Sequence, residues 1–141
     1  MVGPERVLMQ GYLDIDRNIG TAAPNNFGTV AVTGLPTELA DNEGRGFDVY
    51  VYYLGCGDVG RVASHTIGAT TQFAAEASMP AGLVESDGTA ADNQGTYIVF
   101  SGLSGTSFTL SSQGVSTPNQ FRALINAIQI VAVPPPAPPS E

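Results

Sequence analysis

The chain has no lysine and no tryptophan, a single cysteine, a single histidine, and only 13% charged residues. Each scarcity closes off a class of function. The basic side chains are five arginines, Arg6, Arg17, Arg45, Arg61 and Arg122, against 13 acids, for a net charge of -8. Phosphate binding needs clustered Lys and Arg to release counterions, so nucleic acid is excluded as a partner. The same charge balance disfavours an anionic membrane surface. Cys56, standing alone, permits no intrachain disulfide and no multi-cysteine metal centre. His65, standing alone, excludes His-rich zinc sites and HExxH chemistry. No run of about 18 apolar residues is present, so no segment reads as membrane-inserted. The opening "MVGPERVLMQ" lacks the basic and apolar regions of a signal peptide.

What remains is rich in β-formers and turn residues. The 141 residues fit one domain, and 43% apolar content is enough for a core. Eight short runs of Val, Ile, Tyr, Phe and Thr, bounded by Gly, Pro, Asn or Asp, read as strands: 5–13, 28–33, 46–54, 61–67, 69–74, 95–101, 106–112 and 124–133. That count in one domain implies an all-β antiparallel sandwich or jelly roll over residues 1–132. "GFDVYVYYLGCGD" (46–58) alternates with period two, which puts Val49 and Val51 toward the core and Asp48, Tyr50 and Tyr52 on the other face. "FSGLSGTSFTLSS" (100–112) reads as a hairpin with Phe108 and Leu110 pointing inward. Helical signals are short: 72–79 is limited by Pro80, and 117–128 has a Thr117 N-cap with Pro118 behind it. Residues 14–28 and 80–95 read as long loops, and "VPPPAPPSE" (133–141) as a polyproline II tail.

Three stretches carry a family resemblance. "LMQGYLD" (8–14), "GFDVYVYYLGCGDVGR" with "HTIG" (46–68), and "GTYIVFSGLSGTSFTL" with "RALINAIQIV" (95–131) resemble a secreted β-sandwich module of planctomycete- and verrucomicrobium-type extracellular proteins. That module is similar to the galactose-binding-like jelly roll. The resemblance implies an extracellular or cell-surface, non-catalytic domain that binds carbohydrate or serves adhesion. It also implies further strands before "GYLD", and only seven residues precede Leu8 here. A sandwich short of a strand exposes edges that pair with other chains. The second reading is therefore a structural subunit of a filament or surface layer, self-associating through strand edges.

The candidate chemistry follows those readings. Tyr50 and Tyr52 are suited to stack on a pyranose, with Asp48 accepting from its hydroxyls. Asp58 and Arg61, with Arg122 and Asn126, are the candidate polar rim, since guanidinium groups read hydroxyls and carboxylates through planar donor pairs. Asp14, Asp16 and Asn18 in "DIDRNIG" have the alternating oxygen donors of a structural Ca²⁺ loop, although Gly20 sits one place late for an EF-hand. His65 reads as a packed strand residue, since no sequence motif joins it to a triad. No G-x-S-x-G, P-loop or dinucleotide fingerprint occurs, so the chain reads as a non-enzyme, with a carboxylate-dependent hydrolase as the third reading.

Overall fold

The structure, a computed structural model, describes residues 13–16, 28–40, 46–53, 62–76, 82–88, 94–115 and 122–133. Ten strands account for most of them: β1 Leu13–Asp16, β2 Gly28–Thr33, β3 Gly46–Tyr52, β4 Val62–Ile67, β5 Thr70–Glu76, β6 Gln94–Gly95, β7 Tyr97–Leu103, β8 Ser107–Gly114, β9 Arg122–Ile125 and β10 Ala127–Val133. One 3-10 turn, Thr37–Leu39, is the sole helical element among the described residues. A three-stranded sheet, β10-β3-β7, faces a five-stranded sheet, β2-β8-β4-β5-β6, and β1 pairs with β9. All pairings are antiparallel except β5 with β6. The chain is an all-β sandwich, as the spacing of short strands predicts.

Alternation fixes which faces meet. Phe47, Val49 and Val51 of β3 and Ile98 of β7 are 0% exposed, and they pack on Ile67 and Leu110 of the opposite sheet. Burying side chains of this size contributes about 1.5–3 kcal/mol each, which is why a one-residue slip, which would turn them to the other face, is not tolerated. The register on the five-stranded sheet aligns its inward residues in layers: Ala63 with Ala74, His65 with Gln72 and Ser112, Ile67 with Thr70 and Leu110. The small layer explains why the described part of "QFAAEASM", 72–76, forms strand rather than helix. Ala74 pairs with Ala63 in the layer between the sheets, and Ala75, on the opposite face of the strand, is also buried.

Three predicted elements change form. The run 124–133 is not one strand: β9 pairs with β1, and after Asn126 the chain changes partner so that β10 pairs with β3. The Asn126 N–H donates to the Tyr52 carbonyl at 2.8 Å and anchors the crossing. The helical turn proposed within 117–128 is absent from its described part, because Ala123, Leu124 and Ile125 are buried in extended backbone. The loop 80–95 is in part a strap. Val84 O accepts from Thr96 N at 2.7 Å, Ser86 N donates to Tyr97 O at 2.9 Å, and Phe73 N donates to Gly88 O at 2.9 Å. Residues 82–88 therefore run along the outer edge of β7 and tie it to β5. Gln72 adds a second tie, its Nε2 donating to Val99 O at 2.6 Å.

Candidate functional site

The outer face of the β10-β3-β7 sheet gathers three of the chain's five tyrosines. Period two on β3 turns Tyr50 and Tyr52 outward, and the register sets Tyr97 of β7 opposite Tyr52. Ring centroids lie 5.9 Å apart for Tyr50–Tyr97 and 5.6 Å for Tyr52–Tyr97, at tilted angles. Leu83 of the strap and Ala127 of β10 pack at the flanks. Tyr52 is buried at the centre, and its hydroxyl donates to Gln129 Oε1 at 2.8 Å. Tyr50 and Tyr97 are half-buried, and the Tyr97 hydroxyl donates to Glu85 Oε2 at 3.3 Å. Burial raises the Tyr52 phenol above its ordinary value, and the neighbouring Tyr50 adds to the rise. Burial also raises Tyr97, with Glu85 next in effect. Tyr52 and Tyr97 therefore stay neutral donors at physiological pH.

Asp48 shares this face, and its role is partly structural. Its Oδ1 accepts the Gly102 N–H at 2.9 Å where the β3–β7 register shifts between Phe47 and Val49. Gly102 sits at φ 69, a left-handed conformation that glycine adopts without a Cβ penalty. One carboxylate oxygen thus fixes the bulge.

The other sequence candidates lie on or between other strands, or outside the described residues. Asp58, Arg61 and Asn18 lie outside the described residues. Arg122 opens β9 opposite Asp16 of β1, and Asn126 stands where the chain leaves β9 for β10. Asp14 and Asp16 stand on strand β1 rather than in a loop, which corrects the loop geometry assumed for calcium. Among the described residues no three His, Cys, Asp or Glu side chains group as metal ligands. Tyr97, Gln129 and Glu85 were not legible as site residues. Tyr97 lies in an alternating run, but only strand pairing brings it beside Tyr52.

Two further features were weighed as sites. A cavity of about 450 Å³ opens at one sandwich end, over Phe47, Ile67, Leu103 and Phe108 and rimmed by Thr70, Ser104, Ser107 and Thr109. Inside the core, His65 Nδ1 lies 2.7 Å from Ser112 Oγ, a nucleophile–base distance. Both residues are 0% exposed, so no substrate reaches them. His65 Nε2 and the Tyr53 hydroxyl are buried without a hydrogen-bond partner among the described residues. The two rings stand 6.0 Å apart. Burial lowers His65 to about 4 and pushes Tyr53 up to about 12.

Among the described residues no helix is long and apolar enough to cross a membrane. Comparison with protein-family models, curated proteins and solved structures finds no match to the chain.

Proposed function

We propose that this domain is a non-catalytic, extracellular carbohydrate-binding module of jelly-roll type that holds neutral polysaccharide on the tyrosine face of its three-stranded sheet. One observation carries the reading: Tyr50 and Tyr97 present partly open rings 5.9 Å apart, beside the side-chain oxygens of Glu85 and Gln129. Such rings suit the C–H face of a pyranose, and carboxylate or amide groups suit its hydroxyl edge. Tyr52 acts from behind, holding Gln129 and propping both neighbours apart. The net charge of -8 favours neutral over anionic glycans.

Affinity electrophoresis through neutral polysaccharides tests the reading. Retardation of the native chain is expected on at least one of them. Tyr50→Ala or Tyr97→Ala should weaken it by roughly 5- to 30-fold, the effect of one or two kcal/mol. Unretarded migration on every polysaccharide, or retardation that survives both substitutions, would sink the proposal.

A further inference from the structure

The sandwich guards its strand edges unequally. The outer edge of β7 is capped at its Tyr97 end by the 82–88 strap and at Val99 by the Gln72 side chain, and β5 is extended by β6. Among the described residues, nothing pairs with the outer edge of β10. Tyr97 directs its N–H and carbonyl away from β3, to Val84 and Ser86. Alternation from that point turns Tyr50 and Tyr52 toward β10, as the Asn126-to-Tyr52 bond requires. On β10 the residues opposite them face β3, which leaves the backbone groups of Ile128, Ile130 and Ala132 directed outward from the sheet edge. The strand AIQIVAV has no charge and no proline, the devices that normally blunt an edge.

We propose that two copies of the chain join through this edge, β10 running antiparallel to β10 about a two-fold axis at Ile130. The strand is self-complementary about that residue. Ile130 meets its own copy, and Ile128 meets Ala132 of the partner. Gln129 meets Val131, and Ala127 meets Val133. Each outward-directed residue then exchanges both backbone hydrogen bonds with its opposite number. Ile128 and Ile130, only half-buried against the core, gain a neighbour on their open side. Val131, one of three large apolar residues left exposed among the described residues, at 38%, is covered by a glutamine. In a chain of net charge -8, β10 offers an uncharged seam where two copies approach without repulsion. The other edge, β2, begins on Gly28 and exposes no large apolar side chain. Pro134 to Pro136 follow β10 in sequence and end the pairing, since proline has no N–H to give.

The product is one six-stranded sheet, β7-β3-β10 continued through its two-fold copy. Because the axis stands perpendicular to the sheet, both tyrosine clusters fall on the same face. Three strand steps separate the two copies of β3, about 14 Å at the usual spacing. The dimer does not depend on the carbohydrate reading; if both hold, the assembly is a bivalent platform.

Cross-linking in a fixed register tests the arrangement. Gln129→Cys and Val131→Cys are prepared as separate full-length chains, each with Cys56→Ser. Residues 129 and 131 would be directly opposite in the closely spaced pair, about 4.5 Å between Cα atoms, which a disulfide spans. Mixing the two chains under mild oxidation should give a covalent dimer, and either chain alone should give none. Sedimentation of the wild-type chain should show a dimer that Val131→Lys converts to monomer with unchanged circular dichroism. A wild-type chain that stays monomeric to about 1 mM overturns the proposal. So does cross-linking of either variant alone to the same extent as the mixture.

Discussion

The buried histidine gives the sharpest test of the core. His65 is 0% exposed, and its native value lies at about 4, lowered by burial from an ordinary 6.5. Between those limits the unfolded chain binds a proton that the native chain refuses. Stability therefore rises with pH through the window from about 4 to 6.5 and is lost as pH falls through it. At 1.36 kcal/mol per pH unit the gap is worth about 3 kcal/mol, a large part of a small domain's stability. The geometry supplies the cause: Nδ1 is engaged by Ser112, and among the described residues Nε2 meets no acceptor that would stabilise a second proton. Urea unfolding followed by circular dichroism from pH 5 to 7.5 reads the effect, since the chain has no tryptophan to report by fluorescence. Carboxylates also titrate at the acid end, so His65→Leu, which cannot be protonated, is the control. The native chain should lose up to about 1.4 kcal/mol per pH unit more than the variant below pH 6. Equal slopes in the two proteins would refute the assignment of His65 as a neutral core residue.

Three substitutions probe the scaffold. Gly95→Ala places a Cβ about 2.8 Å from the Ser86 nitrogen and 3.0 Å from the Val84 carbonyl, and should cost about 1–3 kcal/mol in urea unfolding by forcing the strap off β7. Gln72→Ala removes the 2.6 Å bond to Val99 O and should cost about 1–2 kcal/mol, with faster amide exchange along the strap. Phe47→Ala opens the core beneath the end cavity, where Phe47 packs on Phe108 at 5.8 Å, and should cost about 3–5 kcal/mol in the same assay.

The fold was legible where a local rule sufficed. Period two placed Val49, Val51 and Leu110 inward without knowledge of their partners, and turn residues bracketed the 28–33 strand at its observed ends. The partner change at Asn126 was not legible, because nothing local separates a kinked strand from a straight one when both halves are apolar. The site was half legible. Alternation brought Asp48, Tyr50 and Tyr52 to one face, but Tyr97, Glu85 and Gln129 arrive by pairing across 12 to 77 residues of chain, which no spacing rule reports. The burial of Tyr52 also reassigns its work. It braces the cluster, and Tyr50 and Tyr97 carry the open rings.

The platform itself is tested most directly by nuclear magnetic resonance of the tyrosine and phenylalanine rings during titration with soluble oligosaccharides of a retarding polysaccharide. The expected result is a shift of the Tyr50 and Tyr97 ring signals that saturates with ligand, while Phe47 and Phe108 at the sandwich end stay in place. Saturable shifts confined to Phe47 and Phe108, with the tyrosines unmoved, would contradict the account.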